Sequence, residues 1–446
     1  MAGTLVGMFQ VRFLCFLAVC RLGHGATLQR LGSFSAKSPA FSTLYEEARP
    51  ATPGDRYSLI VSTFSGPTLF SSSVDSVQLV RSVGAKLGNI GAITPEVVTK
   101  DVTWPNEISI VPDGVFNEKM LAIPDGFLVP FKTNGAVKLV DISTPGSSQG
   151  PYVLTDHSSG DWFYHRVEWH DMDGDGDQDI VTCRAREPVV PVIFGREDEE
   201  LVWLENPGGN FRHTWTSHVL THGPDVYFRF TRMATPDGMK ECIFTAQFFT
   251  ESISVYWTSD SSGLFTDTKQ LQSRVIDASI GRVFEVDVAD LNGDGRPDLL
   301  VTTNGNNGTL LAYEIPDDFR QTTLAFVKHT IAVGFSPRSK SIGKGAPGSA
   351  IAVHPQPAKN TSKPVILLSG DDDGRAYVFE AASQDPAAWA YNKQVFFDAG
   401  DATVGELSAA DVDNDGYTDV FVPSFNGNEV IVYSFRPALS DQNILG

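Results

Sequence analysis

An all-β fold closed into a ring is what the sequence predicts, and three observations carry the prediction. Gly and Pro, 40 and 26 of 446 residues, are spread along the whole chain, which disfavours long helices and favours short strands joined by turns. A segment made of two apolar, β-rich runs around a polar turn recurs at a step of about sixty residues. Three acidic loops of one pattern stand at twice that step. Apolar residues make up 41% of the chain, enough for a core, so general disorder is excluded. The formal charge of −20 argues against nucleic acid or an anionic membrane surface as partner, because phosphates are neutralised by clustered Lys and Arg.

The only early apolar run is residues 13–20 (FLCFLAVC), with Arg12 before it and Gly23-His24-Gly25 after it. It has the length of a signal-peptide core and is too short to span a bilayer. Residues 1–25 are therefore expected to be a signal peptide and residues 26–446 a single secreted domain with no membrane span. Cleavage would remove Cys15 and Cys20, leaving Cys183 and Cys242. Two cysteines are no disulfide framework; they are either two small buried hydrophobes or one pair. Asn307-Gly308-Thr309 and Asn360-Thr361-Ser362 match the N-glycosylation acceptor pattern, which matters for a secreted chain.

The repeating hairpin occupies residues 57–80, 127–143, 179–206, 242–258, 298–315, 365–381 and 419–435. An isolated two-stranded ribbon is marginal, so seven of them must pack on one another. Radial packing of four-stranded sheets buries both faces and leaves only short edges, which is a seven-bladed β-propeller. Residues 436–446 are too few, and too quickly interrupted by Pro437, to finish the last blade. A strand from residues 27–35 is expected to complete blade 7 and remove the open edge.

The acidic loops read Asp171-Met-Asp173-Gly-Asp175-Gly-Asp177-Gln-Asp179, Asp290-Leu-Asn292-Gly-Asp294-Gly-Arg296-Pro-Asp298 and Asp411-Val-Asp413-Asn-Asp415-Gly-Tyr417-Thr-Asp419. Side-chain oxygens at positions 1, 3, 5 and 9, with the position-7 carbonyl of Asp177, Arg296 or Tyr417, can converge on one cation. Such hard oxygen ligands suit Ca²⁺. Without a metal, carboxylates this close would repel strongly. An EF-hand would need Glu at position 12 between helices, but Thr182, Val301 and Val422 stand there, inside β-branched runs. A dockerin-type loop would likewise lead into a helix. The loops start 119 and 121 residues apart, which puts them at one position in blades 3, 5 and 7.

Acidic loops of this kind entering strands resemble the FG-GAP/VCBS repeats of the integrin α-subunit type of propeller. The resemblance covers roughly residues 55–435 and implies a seven-bladed ring with Ca²⁺ held within single blades. Blades 1, 2, 4 and 6 depart from the pattern. The blade 4 turn around Asp237 lacks acids at positions 1 and 3, so no metal is expected there.

Two further constellations need weighing. Gly343-Lys-Gly345-Ala-Pro-Gly348 matches G-x-G-x-x-G, but Pro347 interrupts it and a strand rather than a helix follows, so it reads as a loop at the ring mouth. Six of the nine histidines fall between 157 and 222, and His165, Glu168 and His170 map to the first strand of blade 3, which should line the central channel. A histidine there could serve as acid or base, with Arg166 or Arg229 holding a carboxylate. Side chains five residues apart on a regular strand face opposite ways, so His165 and His170 cannot both face the channel unless a bulge intervenes. The sequence thus favours an extracellular binding module for a protein or glycan. Its alternative is a carbohydrate-active lyase or dehydratase working through His165, Glu168, His170 and Arg229, in the manner of a few VCBS-type sugar dehydratases.

Overall fold

Pairing sorts the strands into seven antiparallel sheets of four. The computed structural model describes residues 28–64, 75–126, 135–156, 162–186, 198–341 and 343–437. Blade 1 runs Pro39–Glu46, Tyr57–Thr63, Ser76–Val80 and Glu96–Thr99, and blade 2 runs Ser109–Ile110, Met120–Pro124, Val137–Thr144 and Ser147–Val153. Blade 3 comprises Phe163–His170, Asp179–Arg186, Asp198–Glu205 and Thr216–His222. Blades 4 and 5 begin with Tyr227–Thr235 and Val283–Ala289, and blades 6 and 7 with Ala350–Val353 and Ser408–Ala410. From blade 7 through blade 1 to blade 6, first strands of neighbouring blades touch one another, so they surround the axis.

The hydrophobic core is divided into seven clusters, each filling the space between two neighbouring blades. This explains the sequence pattern of the middle strands. Asp298–Thr303 and Asp419–Ser424 are buried at every position, because both faces of their sheets are covered. The outermost strand Tyr391–Asp398 has no buried position and carries the polar residues.

The ring closes as the chain ends required. Gln29–Ser35 pairs antiparallel with Glu429–Ser434, from Gln29 opposite Ser434 to Ser35 opposite Glu429, as the fourth strand of blade 7. One expectation needs correction. The hairpin placed at residues 127–143 starts earlier, with Met120–Pro124. That strand stops where Asp125 buries its carboxylate to accept the N–H groups of Thr103 and Ala136 at 2.9 and 2.7 Å; residues 127–134 lie outside the described ones. The signal segment and His157 also lie outside them. Cys183 and Cys242 are free thiols buried in different clusters, one between blades 3 and 4 and one between blades 4 and 5. The loop Gly343–Gly348 stands at the rim, where Lys344 Nζ reaches Asp372 at 2.6 Å.

Acidic loops and channel as the candidate functional site

The three acidic loops join first to second strands in blades 3, 5 and 7 and fold alike. Position 1 accepts the backbone N–H of position 6, at 3.2 Å for Asp171, 2.9 Å for Asp290 and 3.0 Å for Asp411. Position 5 accepts the N–H of position 7 at 3.0, 2.8 and 2.9 Å. Position 9 turns back to take the N–H of position 2 at 2.9, 3.0 and 3.3 Å. The chain makes this tight spiral because positions 4 and 6 adopt positive φ: Gly174 and Gly176, Gly293 and Gly295, Asn414 and Gly416. Position 2 anchors it. Met172, Leu291 and Val412 are almost wholly buried, each in the cluster leading to the next blade.

This geometry gathers oxygens. Asp171, Asp173 and Asp179 can bring one oxygen each within 4.8 Å of the others, and so can Asp411, Asp413 and Asp419. Asp177 Oδ1, Asp411 Oδ1 and Asp419 Oδ1 are buried without a hydrogen-bond partner. Burial, reinforced by neighbouring carboxylates, pushes Asp179 up to about 6, Asp298 to about 7 and Asp419 to about 8. Orphaned oxygens and crowded acids of this sort fit a hard cation. Asp175, Asp294 and Asp415 complete position 5, and Asn292 replaces the carboxylate at position 3 of blade 5.

The other blades put protein cations at the same end of the ring. Arg320 of blade 5 pairs with Asp237 of the blade 4 turn at 2.7 Å. Arg56, just before the second strand of blade 1, bonds Glu46 at 2.7 Å, and Lys119, just before that of blade 2, bonds Glu47. In blade 6, Lys363 donates to the carbonyls of Asp385 and Ala388.

The second constellation lies in the channel. Register in the blade 3 first strand shifts between Tyr164 and Val167, a bulge that breaks regular alternation. Glu168, His170 and Arg229 come together: Glu168 lies 3.8 Å from His170 Nε2 and 3.5 Å from Arg229 Nη1. His170 also stacks on Phe230, with centroids 3.6 Å apart. His165 stands apart from them. Its ring is wedged edge-on against Phe41 of blade 1 and Phe284 of blade 5, at 5.6 and 6.1 Å, and neither nitrogen has a hydrogen-bond partner. Burial, then the nearby Arg166 charge, pushes it down to about 3, so the ring is neutral.

Four acids not singled out by the sequence complete the channel. Arg166 bonds Glu107 and, at 2.9 Å, Glu168, while Arg229 bonds Asp287 at 2.8 Å. Burial alone would raise Glu168, but Arg166, His170 and Arg229 hold it at about 2. Glu285 and Glu406 have no such partner. Glu285 accepts only the Ala350 N–H, at 2.6 Å, and burial with Asp287 nearby pushes it up to about 8. Burial, then Glu107 and Glu285, also raises Glu406 well above the carboxylate range. A signal for these residues was present: Arg166, Glu285 and Glu406 each stand five residues before an acidic loop, and Glu168 and Asp287 three before.

Residues 235–301, from the blade 4 turn through the acidic loop of blade 5, match the family model described as FG-GAP-like repeat. No curated protein matches the chain. The chain therefore carries an FG-GAP-like repeat within a seven-bladed β-propeller, an architecture consistent with the integrin α type of FG-GAP propeller.

Proposed function

We propose that this chain is a secreted, calcium-stabilised propeller acting as an extracellular binding module for a protein or glycan. The carrying observation is that three separate loops repeat one hydrogen-bonded fold in alternate blades, and those of blades 3 and 7 bring three carboxylates together with orphaned oxygens. Asp171, Asp173, Asp175 and Asp179, with the carbonyl of Asp177, would hold Ca²⁺ in blade 3, and the matching residues of blades 5 and 7 would do the same. The ions fix the loops that lead into the middle strands and so stiffen the ring that presents the binding surfaces. Among the described residues no helix is long and apolar enough to cross a membrane.

The lyase or dehydratase alternative keeps Glu168, His170 and Arg229 together in the channel but loses His165 from the group. As an acid or base His165 is poorly placed, because it is enclosed by two phenylalanines and neutral. Incubating the calcium-loaded chain with arrayed glycans and secreted proteins, beside an assay for an unsaturated sugar product, tests the choice. Saturable binding lost on chelation, without turnover, supports the binding module. Turnover on an acidic sugar that disappears in Glu168→Gln would replace it with the enzyme.

A further inference from the structure

A cavity of about 410 Å³ opens between blades 5 and 6, in the size range of small-ligand sites. Its chemistry is selective. Asp290 forms part of one wall, but its two oxygens are turned into the acidic loop, where they accept the N–H groups of Gly293, Asp294 and Gly295. The polar groups left are the His354 ring, whose buried Nδ1 has no partner, the hydroxyls of Thr361 and Ser362, and the Asn360 amide. Ala352 and Pro364 add apolar surface, and the space over Gly295 is open. Neutral donors and acceptors beside apolar patches suit a polyhydroxylated ring better than an ion.

All three residues of one acceptor tripeptide, Asn360-Thr361-Ser362, line this cavity, and all three are exposed. We infer that Asn360 is an N-glycosylation site and that the first sugar of its glycan seats in the cavity between blades 5 and 6, over the acidic loop of blade 5. The inference rests on the secreted reading. The second acceptor, Asn307, is exposed on the turn between Asp298–Thr303 and Gly308–Glu314 and is not among the residues lining the cavity between blades 5 and 6. The two sites should therefore differ in how well the protein shields their first sugar.

The test is secretion of the full chain from insect or mammalian cells behind a heterologous leader, followed by peptide N-glycosidase and site-resolved mass spectrometry. Asn360 should be occupied, and its glycan should leave the native protein at least about tenfold more slowly than the denatured protein. His354→Ala should shorten that protection, and Ser362→Ala should abolish occupancy without unfolding the chain. An empty Asn360, or a glycan released equally fast from native and denatured protein, overturns the inference. A parallel expression from the chain's own N-terminus separates the two readings. If only the leader-driven protein is exported, yet Asn360 is occupied and protected, the secretion reading falls and the sugar seat stands.

Discussion

Glu285→Gln should make the protein more stable, and increasingly so as the pH rises. The folded chain holds this carboxyl at about 8, because burial and Asp287 disfavour its charge. The unfolded chain would release the proton near the ordinary glutamate value of about 4.3. Between those limits the native state binds the extra proton, so stability is complete below the unfolded value and is lost as pH rises through the folded one. One proton corresponds to about 1.4 kcal/mol per pH unit, so the loss approaches about 5 kcal/mol by pH 8 as an upper bound. Glutamine keeps an oxygen for the Ala350 N–H bond and cannot ionise. Urea melts of both proteins from pH 5 to 9, in saturating Ca²⁺ to hold the acidic loops constant, should diverge steadily in favour of the variant. Parallel curves would show that Glu285 is ionised without cost and that the channel acids are compensated by something else.

Other outcomes follow from the same contacts. His165→Phe should leave the melting temperature within a few degrees of the parent or raise it, since two unpartnered nitrogens among aromatic rings are replaced by carbon; a large drop in a thermal melt would mean the imidazole is bonded in solution. Asp294→Ala should remove part of the calcium-dependent stabilisation, whereas Asp237→Ala, which loses one exposed pair with Arg320, should cost under about 1 kcal/mol in denaturant titration; equal losses would contradict the loop assignment. Deleting residues 29–35 should expose the edge of Glu429–Ser434 and yield aggregates by light scattering, and a monomeric, cooperatively melting deletion would show that the ring closes otherwise. Cys183 and Cys242, both buried thiols pushed up by burial, should resist a thiol reagent until the chain is denatured; rapid labelling of the native protein would disagree with their placement.

The ring was legible because its determinants are local and repeated. Seven β-rich hairpins, loops at double-blade spacing and a last blade short of one strand each have one economical solution, and Gln29–Ser35 filled the gap where expected. The blade 2 hairpin was placed one apolar run too late, because residues 127–130 match a strand pattern in sequence as well as Met120–Pro124 does. The true strand ends at Pro124 for a tertiary reason, the buried Asp125 carboxylate bridging Thr103 and Ala136. The acidic loops could be read residue by residue, except for the apolar anchor at position 2, whose burial depends on the neighbouring blade. The channel was harder. Its members come from five different blades, and a bulge at residues 164–167 decides that His165 and Glu168 have different surroundings. Only the fixed distance from Arg166, Glu285 and Glu406 to their loops betrays them in sequence, and it becomes meaningful once the first strands are known to surround the axis.

Calorimetric titration of the metal-stripped chain with Ca²⁺ addresses the central claim most directly. Three equivalents should bind, Asp171→Ala, Asp290→Ala and Asp411→Ala should each remove one, and Asp237→Ala should remove none. Absence of calcium binding, or a stoichiometry unchanged by those three substitutions, would contradict the assignment of the acidic loops of blades 3, 5 and 7 as the metal centres of the ring.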